Sequence, residues 1–430
     1  MINNRLEEIG GYPFDKLRTL LDPYQPAPSL TPISLSVGEP QHPPPRMVRE
    51  IINENFELWG KYPLVQGTPD FRSAVVSWLE MRYDLPSTML DPENCVIPVS
   101  GTREALFMIA LAAIPEGING QKPAVLMPNP FYQVYLGAAT LAGAEPIFVD
   151  ATSETGFLPD FQSQSTELLE RTALAYYCSP ANPQGMVAPL ETLKNVINLA
   201  REKNFIVLFD ECYSEIFHRD APPGGLEACA ALGNSMDNVL VFNSLSKRSN
   251  VPGLRSGFVA GDPKLIKAFK TVRDYGGAPP PYPLLAAAAA LWRDETHVIK
   301  NQALYRQKFD LADQILGNSH GYYRPEGGFY LWLNVGDGEE AALELWRRAA
   351  IRTIPGKYLS KENILGKNPG SPFIRCALVH DKDTTEEALK RLIDTRGGNA
   401  DHKHASGNTR HLNDAMARDI ASPRGNGFDK

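Results

Sequence analysis

Between residues 95 and 260 short apolar runs alternate with longer amphipathic stretches, and that alternation leaves few architectures open. The runs are Cys95–Val99, Ala124–Met127, Pro146–Val149, Leu174–Cys178, Ile206–Phe209, Val239–Phe242 and Gly257–Ala260. Helix-period segments such as Glu104–Ala113 and Glu191–Lys203 separate several of them. Strands that are apolar throughout need both faces covered, and strands joined through helices pair in parallel. The expected fold is α/β: a mostly parallel seven-stranded sheet sandwiched by helices. Ligands of such sheets gather at the carboxyl ends of the strands, so the residues that follow each run are where chemistry is expected.

A chain of 430 residues exceeds what one core usually serves. The proline cluster A-P-P-P-Y-P at 278–283 reads as a linker or hinge. Helix patterns (Leu284–Lys300, Gln302–Leu316) and strand candidates (Gly328–Asn334, Phe373–Leu378) follow it and imply a smaller α+β domain. The expected division is an N-terminal arm over 1–45, a large domain over 46–283, a small domain over 284–396 and a tail over 397–430. The arm is proline-rich and expected to wrap onto the small domain or a partner subunit. The tail is polar with poor apolar spacing and is expected to be disordered; its His402, His404 and His411 read as solvated, so no metal site is expected.

The net charge of −7 argues against nucleic acid or an anionic membrane as a partner. Five cysteines, odd in number and without C-x-x-C spacing, suit buried thiols in a reducing compartment. The N-terminus carries charge where a signal peptide is apolar, and no apolar run approaches the ~20 residues of a membrane span. A cytoplasmic protein is expected.

The stretch S-L-S-K-R-S-N-V-P-G-L-R-S-G, 244–257, places Lys247 shortly after an apolar run and Arg255 eight residues later. Such a lysine can hold an aldehyde cofactor as a Schiff base, and such an arginine a phosphate; the same residues also suit an ordinary surface turn. Other runs end in matching pieces. S-G-T-R-E-A after Val99 offers Gly101, Thr102 and Arg103 at a helix start, where backbone N–H groups attract phosphate, although this is equally a plain helix cap by Ser100 or Thr102. F-I-V-L-F-D-E-C-Y ends in Asp210, a carboxylate able to keep a pyridine nitrogen protonated, with Tyr213 three residues on; an acid there is also a helix cap or metal ligand. Asn182, in the turn N-P-Q-G, and Tyr132, in P-N-P-F-Y-Q-V-Y, offer a hydrogen bond and a ring cover, or merely turn and packing residues.

In this order and spacing the chain resembles the fold-type I, class I/II aminotransferases that depend on pyridoxal 5′-phosphate (PLP), over roughly residues 10–395. The resemblance implies that Lys247 carries the cofactor and moves the proton between Cα and C4′. It implies that Asp210 pairs with the pyridinium, Asn182 and Tyr213 hold its ring oxygen, and Tyr132 stacks on the ring. Gly101, Thr102, Ser244 and Arg255 would bind the phosphate, with Arg103 adjoining through its backbone. Tyr62, in W-G-K-Y-P-L-V-Q-G, would reach the neighbouring subunit's phosphate, which implies a homodimer with shared sites. Gly38, in S-V-G-E-P, and Arg375, in S-P-F-I-R-C-A, would meet the substrate, the latter gripping the α-carboxylate as a planar fork.

Three stretches, Y-P-F-D-K-L-R-T-L-L (12–21), S-V-G-E-P-Q-H-P-P-P (36–45) and A-A-A-L-W-R-D-E-T-H-V (288–298), are similar to bacterial succinyldiaminopimelate aminotransferases. That family exchanges amino groups between glutamate and N-succinyl-2-amino-6-oxopimelate on the route to lysine. The extra carboxylates of such a substrate need further cations; Arg18 and Arg248 are candidates on charge alone, and each is equally a surface charge. A broad aspartate or aromatic aminotransferase and a PLP β-lyase share the same motifs. A regulator on this fold would carry a basic DNA-binding segment, for which about 35 residues before S-V-G-E-P leave no room.

Overall fold

The computed structural model describes residues 2–396; the expected tail and its three histidines lie outside the described residues. Twelve strands form: β1 (Ile33–Ser34), β2 (Val96–Val99), β3 (Ala124–Asn129), β4 (Glu145–Asp150), β5 (Thr172–Cys178), β6 (Ile206–Asp210), β7 (Val239–Ser244), β8 (Gly257–Gly261), β9 (Tyr330–Asn334), β10 (Ile351–Arg352), β11 (Ile354–Pro355) and β12 (Phe373–Ala377). Each of the seven apolar runs becomes one of β2 to β8. Together they make a single sheet ordered β2-β8-β7-β6-β5-β3-β4.

All its strands run the same way except β8, which is antiparallel to both neighbours. The link from β7 to β8, residues 245–256, holds only a four-residue helix and a short 3-10 turn, and with no crossover helix the chain turns straight back. Both faces are buried. Along β5, Leu174 and Tyr176 pack into one core, and Ala175 and Tyr177 into the other. Helices Thr102–Ala113 and Leu190–Lys203 cover opposite faces, their apolar residues belonging to different cores.

A second core gathers β9, β12, helix Gly338–Ala349 and the far end of helix Thr296–Leu316. Its sheet is ordered β11-β12-β9 and antiparallel. The N-terminal segment joins this unit: β1 pairs with β10, and Leu17 and Leu21 pack against Trp332 and Ile354.

The helix that follows the proline cluster packs on the large sheet. Helix Tyr282–Arg293 buries Leu285, Ala288 and Trp292 in the core of the large sheet. The chain breaks after it, where Asp294 accepts the His297 N–H at 3.1 Å and a new helix, Thr296–Leu316, starts. Among the described residues no helix is long and apolar enough to cross a membrane, and all five cysteines are free.

Candidate active site

The carboxyl edge of the large sheet and the start of the antiparallel β8 meet β12 of the small unit around a cavity of about 630 Å³. One corner is built from three loops. After β2, Gly101 takes φ +89° and leads into helix Thr102–Ala113, whose first residues Thr102 and Arg103 line the cavity. A Cβ on Gly101 would lie 2.0 Å from Arg255 Nη2, so only glycine fits both the backbone and the space. Arg255, at the start of β8, donates to Ser100 O at 3.1 Å and Pro252 O at 2.8 Å. The Ser244 hydroxyl, ending β7, is 2.9 Å from that of Ser246.

Asp210 ends β6 and is buried. Tyr135 Oη donates to its Oδ2 at 2.6 Å and the Cys212 N–H to its Oδ1 at 3.4 Å. Burial pushes the Asp210 carboxyl above its ordinary range, and the bonds from Tyr135 and Cys212 oppose that. Lys247 projects from the short helix Leu245–Arg248, donates to the Gly38 carbonyl and lies 5.4 Å over the Phe329 ring. Burial is the main cause that brings its pKa down to about 8, with Arg375 and Arg255 acting the same way and Cys212 and Glu39 opposing. A neutral amine is thereby accessible near physiological pH.

Arg375 reaches in from β12. Its Nη1 donates to Asn182 Oδ1 at 3.1 Å, its Nη2 to Ser36 O at 2.8 Å, and its guanidinium stacks 4.3 Å over Tyr330. Its Nε is buried without a protein partner. Tyr213 and Tyr330 join hydroxyls at 3.1 Å, and a Cβ on Gly38 would strike the Tyr330 hydroxyl at 1.8 Å. The Asn182–Pro183 peptide is cis.

Of the expected residues, Gly38, Thr102, Arg103, Tyr132, Asn182, Asp210, Tyr213, Ser244, Lys247, Arg255 and Arg375 line this one cavity, and Gly101 abuts it through Arg255. Tyr62 does not: it is 99% exposed and outside its own chain's cavity. Arg103 enters by its side chain, donating from Nε to Tyr132 Oη at 2.7 Å. The two cations considered for distal carboxylates do not line the cavity. Arg248 is turned away, 1% exposed and ion-paired with Glu295. Arg18 pairs with Asp15 on the exposed face of helix Pro13–Leu21. Tyr135, Ser246 and Tyr330 were not anticipated. Tyr135 had a signal, since it follows Tyr132 by three residues, one helical turn.

The chain matches the family Aminotransferase class I and II over residues 31–392. A crystal structure of an aminotransferase from Neisseria meningitidis Z2491 is 40% identical, with a TM-score of 0.87, covering 92% of this chain and 100% of that one. Curated relatives include the 4-dedimethylamino-4-oxo-anhydrotetracycline transaminase OxyQ of Streptomyces rimosus, 29% identical over 90% of this chain and 100% of its own. Another is an LL-diaminopimelate aminotransferase of Desulforudis audaxviator, 30% identical over 90% of this chain and 96% of its own. The chain belongs to the class I and II aminotransferases. Members of that family use PLP, and the residues here fit it. Hydroxyls of Thr102, Ser244 and Ser246, the guanidinium of Arg255 and a helix start suit a phosphate. A buried carboxylate and a lysine of depressed pKa lie in the same cavity.

Proposed function

We propose that this protein transfers an amino group, with ping-pong kinetics, between glutamate and N-succinyl-2-amino-6-oxopimelate. The observation that carries the reading is the meeting of Lys247 and Arg375, from different units, in one cavity that also holds Asp210. PLP, when bound, supplies an electrophilic carbonyl and a ring that accepts the electrons of a broken Cα–H bond. Lys247 Nζ, neutral at moderately alkaline pH, takes the proton from Cα and returns it at C4′. Asp210, braced by Tyr135, would hold the pyridine nitrogen and keep it protonated. Asn182 and Tyr213 hold the ring oxygen and Tyr132 covers the ring. Gly101, Thr102, Ser244 and Arg255 hold the phosphate, and Arg375 orients the substrate's α-carboxylate beside Gly38.

For the distal carboxylates the candidate is Arg103. Its side chain lines the cavity, with Nε held by the Tyr132 hydroxyl and Tyr12 lining the same wall. That supports a long substrate with remote acidic groups, as do the three stretches similar to succinyldiaminopimelate aminotransferases and the relatives named for a diaminopimelate. A homodimer completes the site: Phe56, Trp59, Tyr62 and Leu64 are large, apolar and exposed in one stretch, and Tyr62 would reach the partner's phosphate. Free cysteines suit the cytoplasm.

The test is the visible spectrum of the purified protein titrated with N-succinyl-LL-diaminopimelate. The reading predicts that the yellow band bleaches and that 2-oxoglutarate restores it. Bleaching by LL-diaminopimelate, aspartate or phenylalanine, with none by the succinylated compound, would reassign the substrate.

A further inference from the structure

Lys247 is the third residue of a four-residue helix, and the carbonyls of so short a helix lack partners within it. Those of Lys247 and Arg248 both accept from one side-chain amide, Asn301 Nδ2, at 3.0 and 3.2 Å. Asn301 is buried, and its Oδ1 accepts from Asn250 Nδ2 at 2.8 Å. Two donors toward carbonyls and one acceptor toward an amide is a set that a carboxamide supplies and a carboxylate or hydroxyl does not.

The residues after the lysine are fastened to the same place. Arg248 lies over the rings of Trp78 and Trp292, at 5.5 and 4.9 Å, and donates to Leu291 O at 2.7 Å. The Ser249 hydroxyl meets His297 Nε2 at 2.7 Å, and His297 Nδ1 meets Asp294 at 2.6 Å. This has the order of a nucleophile relay, but Ser249 is buried and does not line the cavity, so it acts as a fastening. Apart from Trp78, these partners lie within 291–301, where helix Tyr282–Arg293 gives way to helix Thr296–Leu316. The far end of that second helix, Phe309 to Leu316, packs in the core of the unit that carries Arg375.

We propose that Asn301 is a positioning residue for Lys247. It fixes the backbone from which Nζ moves between cofactor and substrate, and it ties that backbone to the helix leading into the Arg375 unit. The inference rests on the reading that Lys247 carries PLP.

The test compares the full-length wild type with Asn301→Ala and Asn250→Ala, each loaded with PLP. The readouts are the pH midpoint of the visible band, the PLP dissociation constant, kcat and KM. In Asn301→Ala the midpoint should move by about half a unit or more. PLP binding should weaken and kcat fall by about tenfold or more, since small displacements of reacting groups are costly; KM for the amino donor should stay within about twofold. Asn250→Ala leaves both bonds from Asn301 to the carbonyls of Lys247 and Arg248 in place and should keep the wild-type midpoint. Should Asn301→Ala fail to fold, Asn301→Gln, which keeps the amide but displaces it, is read the same way. A lower melting temperature with unmoved midpoint and kcat would make Asn301 merely structural and overturn the proposal, as would an equal shift in Asn250→Ala. A wild type that takes up no PLP, or a Lys247→Ala protein that keeps the yellow band, would instead overturn the parent reading.

Discussion

The hydroxyl of Tyr135 donates to Asp210 across 2.6 Å beneath the cavity, and the Tyr135 ring stacks on Tyr176 at 4.3 Å. The stack fixes the ring, and the ring fixes the carboxylate. Tyr135→Phe keeps the stack and removes the proton donor. Burial already raises the Asp210 pKa, so this loss raises it further and weakens the charge offered to a pyridinium. A buried charged group deprived of one such bond loses about 1–3 kcal/mol, and PLP affinity should fall by about tenfold. A spectroscopic PLP titration checks this; unchanged affinity would mean that the Asp210 charge does not depend on Tyr135.

Gly101→Ala should act through Arg255. The added methyl would occupy the place of Nη2, in a backbone region that L-residues seldom adopt. Displacement of the guanidinium should weaken PLP binding by about tenfold or more. Inorganic phosphate should then protect the PLP-free variant against thermal unfolding less than it protects the wild type.

A pH effect arises away from the cavity. Lys308 is 1% exposed, donates to Leu378 O at 2.9 Å and lies 4.4 Å over the Tyr305 ring. Burial pulls its pKa down to about 7, against a weaker opposing pull from Asp381. Between about 7 and the ordinary lysine value of ~10.4, the unfolded chain holds a proton that the folded chain has released. Stability therefore rises with pH across that window and is lost as pH falls through about 7. In urea unfolding of the PLP-free proteins, wild type should gain on Lys308→Met from pH 7 to 10. Lys247 contributes with the same sign in both proteins and cancels. A constant difference would mean that Lys308 keeps its proton in the fold.

The strands were legible because each is apolar on both faces and bounded by turns, so β2 to β8 need no knowledge of their neighbours. Most of the site followed from position, since Asp210, Asn182 and Lys247 each come directly after a strand or within a few residues of one. What was hidden depends on direction. Arg248 stands beside the lysine in sequence, but the short helix turns it away from the cavity, against the indoles of Trp78 and Trp292. The apolar pattern of residues 284–300 does not say which core receives it, and its first part, helix Tyr282–Arg293, packs in the core of the large sheet. Tyr330 reaches the cavity from far along the chain, and no local signal marks such a contact.

Borohydride reduction of the PLP-loaded protein followed by peptide mass spectrometry identifies the lysine that carries the cofactor. A phosphopyridoxyl group is expected on the peptide holding Lys247, and none there after prior bleaching with the amino donor. A label on another lysine, or no label in a protein saturated with PLP, would contradict the assignment of Lys247.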